Sequence, residues 1–220
     1  LAVPGRVPAQ PSPAAPDLRA QGPSRTLIRN AALVLTMEPG IGVGDLGILE
    51  DADVLIEDDR IARVGRNLDD ARARVIDATG KIVMPGLVDA HNHLWQSVIR
   101  GCGADKDVNG WLAQCVFPLF GFDFTEADAY AAVRLATLDL ATTGVTTTVE
   151  WAAGFGPAYV RGSLAALSDS GLRFAFAYFG SADPRVQDDI RLVKRTLVDP
   201  NPRASLQIGA QPTVFSPFRE

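Results

Sequence analysis

The sequence predicts an α/β fold: the first four βα units of a partial (β/α)8 TIM-type barrel, preceded by a small N-terminal β-sandwich module. Short apolar segments with tight turns fill residues 26–84, and strand and helix patterns alternate along residues 85–220. This alternation requires a parallel sheet with helices outside it, either an open doubly wound sheet or half of a barrel. No glycine-rich phosphate loop accompanies the alternation, which favours the barrel.

The N-terminal part divides into a lead-in and a β-module. Residues 1–25 are rich in Pro, Ala and Gly without periodicity, which predicts a disordered lead-in or the remnant of a signal peptide. The compartment is therefore left open between cytoplasmic and exported. Within the module, residues 26–84, the pattern predicts a strand followed by a hairpin and a second hairpin-like pair. These elements cover the following residues: 26–37 for the strand, 53–56 with 61–64 for the hairpin, and 75–78 with 81–84 for the second pair.

The barrel part, residues 85–220, shows four apolar strand segments separated by helical patterns. A helix begins at Thr125 with Asp128 three residues on, as in a capping box. A second begins at Pro157 and ends at Gly171. A third is capped by Asp183 and Pro184, with three side chains expected to face inward: Ile190, Val193 and Leu197. The strand segments are residues 87–90, 145–149, 172–178 and 206–214.

Composition excludes some functions. The net charge of −5 argues against nucleic acid as a partner, and no apolar segment is long enough to cross a membrane. Cys102 and Cys115 do not form a metal-binding CxxC motif. We expect them to be buried free thiols, since free cysteine is among the most buried residue types, with a bridge between them as the alternative.

The two histidines of the chain, His91 and His93, stand two residues apart at the end of the first predicted barrel strand. Residues at positions i and i+2 of a strand point to the same face, so both imidazoles are expected to project together. Zinc takes imidazole nitrogens as ligands, and barrel enzymes carry their chemistry at the carboxyl ends of their strands. By itself an HxH pattern is weak, and two unrelated loop histidines are the alternative.

The surrounding run makes the pattern more specific. Residues 80–94, GKIVMPGLVDAHNHL, resemble the segment that introduces the first metal ligands in the amidohydrolase superfamily. Arg100-Gly101 and Trp111-Leu112 resemble the branch that holds S-adenosylhomocysteine and methylthioadenosine deaminases, guanine and cytosine deaminases and triazine chlorohydrolases. The resemblance extends over residues 26–220 and identifies the β-module with half of that family's composite sandwich.

The resemblance implies a function and a cofactor. His91 and His93 would bind one divalent metal, usually zinc and sometimes iron, which activates a water for hydrolysis of a non-peptide C–N bond in a nitrogen heterocycle. A hydrolytic dehalogenase and a non-enzymatic scaffold are the alternatives. Other members complete the site with further histidines and an aspartate, and this chain has no third histidine. Alone it is expected to be inactive, as the N-terminal part of a longer enzyme that forms homo-oligomers and acts on small molecules.

Further candidates lie near the strand ends. We expect Gln96, Trp95 and Trp111 to contact substrate, with a solvated amide and ordinary packing as the alternatives. Glu150, which follows the second barrel strand with Trp151, is a candidate for binding a substrate nitrogen or a metal-ligating histidine, with a surface carboxylate as the alternative. Asp89 is expected to orient a histidine or a backbone turn.

Overall fold

The computed structural model describes residues 24–179 and 184–209. The chain divides into two compact units, residues 1–85 and 86–220. Most of the predicted lead-in, the predicted cap at Asp183 and the last part of the predicted strand 206–214 lie outside the described residues. Within the described residues no helix is both long and apolar enough to cross a membrane.

The first unit is a five-stranded mixed sheet. Its strands are β1 (Arg25–Leu35), β2 (Ile48–Glu57), β3 (Arg60–Gly65), β4 (Arg74–Asp77) and β5 (Ile82–Val83). They are ordered β3-β2-β1-β4, and β5 also pairs with β1. The predicted β2–β3 hairpin is present. The described residues of this unit form this one sheet, so the predicted sandwich is not confirmed.

The second predicted hairpin is wrong. β4 and β5 both run parallel to β1, β4 along residues 26–29 and β5 along residues 33–34. Because both strands point the same way, the chain between them steps along one edge of β1 instead of reversing. Gly80 lies in this step with φ +72°, a conformation that glycine adopts without a steric penalty.

A bulge in β1 separates the places where β4 and β5 pair. Asn30 has φ +61°, and the register against β2 shifts between Ile28 and Ala31. The buried carboxylate of Asp53 accepts the backbone N–H of Asn30 at 2.8 Å and that of Leu68 at 2.8 Å. Asp53 thereby satisfies a donor that the bulge takes out of the strand ladder.

The second unit contains a four-stranded parallel sheet. Its strands are β6 (Leu87–Asn92), β7 (Val145–Trp151), β8 (Arg173–Phe179) and β9 (Ala204–Gly209), ordered β6-β7-β8-β9. The spatial order follows the chain order without the reversal that defines a doubly wound sheet. The α/β fold with a parallel sheet is thus confirmed, and its strand order is consistent with the predicted partial barrel.

Three longer helices follow the predicted pattern. They are α2 (Glu126–Thr142), α3 (Pro157–Ser170) and α4 (Pro184–Val193), and a single turn, α1 (Val108–Trp111), lies in the segment before them. Thr125 and Asp128 form the predicted capping box of α2, and Gly171 ends α3 in the left-handed region. The core between these helices and the sheet includes the following residues: Val133, Tyr159, Leu164, Leu167, Phe174 and Phe176.

The predicted inward position of Leu197 is wrong. After α4 the chain continues as a π-helical turn, Lys194–Val198, in which Asp199 N–H bonds to the carbonyl of Lys194. The extra residue in such a turn rotates the following side chains relative to an α-helix. Val198 is therefore buried in the place predicted for Leu197, which is 37% exposed.

The prediction of free thiols is also wrong. Cys102 and Cys115 form a disulfide, and only Cys115 is buried. The intervening chain folds into short helical turns that bring the two Cα atoms to 6.0 Å, within the range of disulfide-linked pairs. The alternative that the sequence left open is the correct one.

Candidate metal centre

β6, the strand that leads to the histidines, begins at a close contact with β7. At Gly86, immediately before β6, an added Cβ would lie 2.2 Å from the side chain of Thr146 in β7. Glycine is therefore required for β6 to approach β7 at this point. The strand then runs through His91 to Asn92, and His93 follows directly.

The two imidazoles lie side by side. Their ring centroids are 5.1 Å apart, and the ring planes are nearly perpendicular at 86°. His91 is exposed and His93 is partly buried. Two neighbouring imidazoles at the carboxyl end of a parallel strand have the donor chemistry of a zinc site.

A backbone carbonyl fixes the orientation of His93. Its Nδ1 lies 2.9 Å from the carbonyl oxygen of Trp151, the last residue of β7. A carbonyl accepts hydrogen bonds only, so this contact places the proton of a neutral imidazole on Nδ1. Nε2 then keeps its lone pair available for a metal, an arrangement that recurs at metal-ligating histidines.

The ring of Trp151 supports the other histidine. Its centroid lies 5.3 Å from that of His91, with 31° between the ring planes. Trp151 thus holds His93 through its backbone and covers His91 with its side chain. These contacts of Trp151 were not predicted from the sequence. The available signal was its position at the carboxyl end of the strand adjacent to β6.

Asp89 lies within β6, two residues before His91. Its carboxylate accepts the backbone N–H of His91 at 3.3 Å and the side-chain amide of Asn92. These contacts shape the strand end from which both imidazoles project. Asp89 therefore acts on the backbone of His91, at a strand end and not at a turn.

Glu150 is fully buried, so the surface-carboxylate interpretation is wrong. One carboxylate oxygen accepts the backbone N–H of Leu94 at 2.7 Å, and the other accepts the hydroxyl of Tyr159 in α3 at 3.0 Å. Burial away from water raises the pKa of Glu150 to about 8, against the lowering effect of these two hydrogen bonds. The carboxylate is bound to the residue that follows His93.

The other predicted substrate contacts lie close to the histidines along the chain. Trp95 is 2% exposed and packs edge-on against Phe155 at 5.0 Å, which favours the packing interpretation for its ring. Trp111 is partly buried at the end of α1 and lies near Cys115 beside Gly103. Gln96 is partly buried in the 3-10 turn Leu94–Ile99. Their roles toward substrate stay predictions.

The described residues supply two candidate metal donors, His91 and His93. No group of three or more His, Cys, Asp or Glu side chains that would hold a metal occurs within residues 24–179 and 184–209. A separate cavity of about 440 Å³ lies between the 3-10 turn after His93 and the first half of α2. It includes none of the six predicted site residues, and its walls are mainly apolar: Val98, Ile99, Leu119, Phe122, Phe124 and Leu135.

The chain is similar in sequence to known deaminases. It is 36% identical over 120 residues to the 5'-deoxyadenosine deaminase of Methanosarcina mazei, a match that covers 54% of this chain and 26% of the relative. It is also 36% identical over 107 residues to the 5-methylthioadenosine/S-adenosylhomocysteine deaminase of Pyrococcus furiosus, covering 49% of this chain and 25% of that protein. These matches span about a quarter of the length of the curated relatives.

Solved structures share the fold. A variant of atrazine chlorohydrolase from Arthrobacter aurescens TC1, complexed with zinc and atraton, superposes with a TM-score of 0.71 at 25% identity, over 84% of this chain and 46% of that one. Guanine deaminase from C. acetobutylicum, with bound guanine, gives a TM-score of 0.67 at 20% identity, over 86% of this chain and 46% of that one. The chain corresponds to less than half of either protein.

The amidohydrolase family model matches residues 82–211, which is more than half of the chain. The matched region begins just before the first parallel strand and includes the paired histidines. The chain therefore belongs to the amidohydrolase family.

Proposed function

We propose that the whole protein containing this chain is a metal-dependent hydrolase of non-peptide C–N bonds, an aminohydrolase that acts on a nitrogen heterocycle. The observation that carries the proposal is the pair His91 and His93, side by side at the carboxyl end of β6 with Nε2 of His93 available. The deaminase names of relatives at 36% identity support this reaction class.

The two imidazoles fit a single divalent metal as part of its ligand set. Zinc is the proposed ion and iron the alternative, because both accept imidazole nitrogens. A bound metal of this kind lowers the pKa of a coordinated water, so that hydroxide is available near neutral pH. Further ligands would come from parts of the protein beyond this chain's two histidines.

The neighbouring residues prepare the pair for that role. The carbonyl of Trp151 keeps the proton of His93 on Nδ1, and the Trp151 ring covers one face of His91. Asp89 accepts the backbone N–H of His91 and so supports the strand end from which both rings project. Gln96 and Trp111 remain proposed substrate contacts, whereas the burial of Trp95 suits support of the loop better.

The architecture around the site is proposed to continue beyond this chain. Later βα units would complete the (β/α)8 barrel, and the N-terminal sheet, residues 26–84, would form half of a sandwich. The structural similarity to proteins of about twice this length supports the proposal. A homo-oligomer is the proposed assembly of the full-length protein.

The disulfide bears on the compartment. Disulfides persist in oxidising compartments and are rare where cellular thiols are kept reduced. We therefore propose the exported alternative, supported by the Cys102–Cys115 bond. Thiol alkylation followed by mass spectrometry of the protein from its native cells tests it: blocked cysteines are expected, and two alkylated thiols would favour the cytoplasm.

A second candidate differs in the leaving group. The structural similarity to an atrazine chlorohydrolase favours a hydrolytic dehalogenase, which uses the same activated water and releases chloride. Assaying ammonia and chloride release from purines, pyrimidines and chlorinated triazines separates the two reactions. Release of neither product by a metal-loaded protein would favour the non-enzymatic scaffold.

The test of the proposal uses the full-length protein. We expect about one equivalent of bound metal at this site, lost together with turnover in His91→Ala and in His93→Ala. Asp105→Asn serves as the control, because Asp105 is exposed and its ion pair within the described residues is with its neighbour Lys106. Unchanged metal content and turnover in both histidine variants would overturn the proposal.

A further inference from the structure

Two consecutive residues of β7 bind two consecutive residues after β6. The side chain of Glu150 accepts the backbone N–H of Leu94 at 2.7 Å, and the backbone carbonyl of Trp151 contacts Nδ1 of His93 at 2.9 Å. One bond fixes the chain immediately after the imidazole, and the other fixes the imidazole itself. Position and orientation of His93 are therefore set from the same point on β7.

The chemistry of Glu150 matches its two partners. Leu94 N–H donates to one oxygen of the Glu150 carboxyl group, and the hydroxyl of Tyr159 donates to the other. A glutamine has nearly the same shape and keeps one carbonyl oxygen as an acceptor, whereas a leucine keeps none. Burying a carboxyl group away from water carries a desolvation cost, so its presence calls for a specific role.

The support behind Glu150 is rigid. β7 pairs on both sides, with β6 and β8. Tyr159 is fully buried, with its ring 5.2 Å from Phe155 and 5.8 Å from Phe124. The acceptor for Leu94 N–H is therefore held by the centre of the sheet and by the aromatic core under α3.

We propose that Glu150, supported by Tyr159, is a positioning residue that holds His93 in the geometry required for metal binding. This role replaces direct substrate contact, because Glu150 has no exposed surface. The inference rests on the proposed function, since it assumes that His93 is a metal ligand.

The test compares matched variants of the full-length protein. Glu150→Leu removes the acceptor, Glu150→Gln keeps one acceptor oxygen, and Tyr159→Phe removes the donor that supports the carboxylate. Thr148→Val is the control, because Thr148 is fully buried two residues earlier on β7 and its hydroxyl has no partner within the described residues. Residues two apart on a strand share a face, so this variant changes the same side of β7 while leaving the Glu150 carboxyl group in place.

The readouts are zinc affinity, measured by chelator competition, and the visible spectrum of the cobalt(II)-substituted protein, which reports ligand geometry. Loss of outer partners of metal ligands typically costs about 10- to 100-fold in affinity. We expect a loss of about that size and a shifted cobalt spectrum in Glu150→Leu, a smaller loss in Tyr159→Phe and substantial recovery in Glu150→Gln. Thr148→Val is expected to retain the original affinity and spectrum.

A folded Glu150→Leu protein with the original zinc affinity and cobalt spectrum would overturn the inference and leave the proposed function intact. If Glu150→Leu does not fold, Tyr159→Phe provides the test. The original zinc affinity and cobalt spectrum in Tyr159→Phe would then overturn the inference. Failure of the proposed function is recognised separately, because the unsubstituted protein would then bind no metal through His93 and His93→Ala would change nothing.

Discussion

The tautomer of a neutral His93 is set by one backbone atom on the neighbouring strand. The carbonyl of Trp151 accepts from Nδ1, so the imidazole presents Nε2 without relying on another side chain. Because the acceptor is part of the β7 backbone, side-chain substitution at Trp151 leaves this contact in place. Such a substitution does remove the ring that covers His91.

Substitution of the Trp151 side chain should therefore affect His91 and leave the orientation of His93 unchanged. We expect Trp151→Leu to preserve the orientation of His93 while removing the ring that packs against His91, and so to weaken metal binding less than His93→Ala does. Isothermal titration of the metal-free full-length protein with zinc measures the difference. An equal loss of zinc affinity in the two variants would contradict the account in which the Trp151 backbone orients His93 and the Trp151 ring supports His91.

Glu150 predicts a pH dependence of folding. Burial raises its pKa from 4.5 to about 8, so the folded state retains a proton that the unfolded state releases. Its contribution to stability is full below pH 4.5 and declines as pH rises toward 8, with a slope of at most about 1.4 kcal/mol per pH unit. Denaturant unfolding of the metal-free full-length protein across this range measures that slope.

The control for this prediction is Glu150→Gln, which cannot titrate. The free energy of unfolding of the original protein minus that of the variant should fall across the pH range. A constant difference would show that Glu150 does not have a raised pKa in the folded protein.

At the residue scale, the sequence predicted those features that depend on the spacing of residues along one strand. His91 and His93 share a face because they are two apart at a strand end, and this followed from the local pattern. The burial of Glu150 did not follow, because it depends on Tyr159 arriving from α3 and Leu94 from the turn after β6. Contacts among three separate elements leave no local signal in the sequence.

At the element scale, the packing of α2 against α3 depends on Gly162. A Cβ at this position would lie 2.2 Å from the carbonyl oxygen of Glu126 and 2.9 Å from Cβ of Ala129. Replacing glycine by alanine inside a helix usually stabilises it by about 1 kcal/mol. Here the clash is with backbone, and overpacking costs about 1–3 kcal/mol, so the steric effect should prevail.

We predict that Gly162→Ala lowers the free energy of unfolding by about 1–2 kcal/mol, because the steric cost exceeds the gain in helix propensity. Gly121→Ala is the control, since no atom lies within 4 Å of its added Cβ and its φ is not positive. Denaturant unfolding of the full-length protein measures both. A Gly162→Ala protein more stable than the original would show that the two helices separate easily.

The disulfide should stabilise the segment that follows the paired histidines. Cys102 and Cys115 are 13 residues apart, and closing a loop of this length is worth about 3 kcal/mol through the entropy of the unfolded chain. We expect Cys102→Ser to lower the melting temperature under oxidising conditions. Reduction should lower the melting temperature of the original protein and leave that of the variant unchanged. Equal effects of the reductant on both proteins would contradict the Cys102–Cys115 disulfide.

The elements that differ from the sequence predictions depend on features that the local sequence pattern does not register. The step between β4 and β5 resembles a hairpin locally, and its direction is set by pairing with β1. The π-helical turn after α4 moves inward burial from Leu197 to Val198 by a change in helix type that α-helical periodicity does not register. By contrast, caps such as Thr125 with Asp128 were predictable because all their contacts are local.

At the scale of the whole molecule, the parallel sheet has exposed apolar positions at both outer strands. Within the described residues, β6 and β9 each pair with one neighbouring strand. Leu87 and Val88 on β6 are 51% and 66% exposed, and Ile208 on β9 is 58% exposed. Unpaired edges with apolar side chains favour association with other chains.

We therefore predict that the 220-residue chain expressed alone aggregates or remains partly unfolded. Size-exclusion chromatography with light scattering and a thermal melt test this directly. A monomer with one cooperative transition would contradict the proposal that further strands cover these edges in the full-length protein.

The central claim is that His91 and His93 bind the same cation. A crystal structure of the full-length protein with data collected at the zinc absorption edge tests it most directly. We predict one anomalous peak about 2.0–2.1 Å from Nε2 of His93 and at a similar distance from a ring nitrogen of His91. A peak bound to one ring only, or rings turned away from a metal bound elsewhere, would contradict the account.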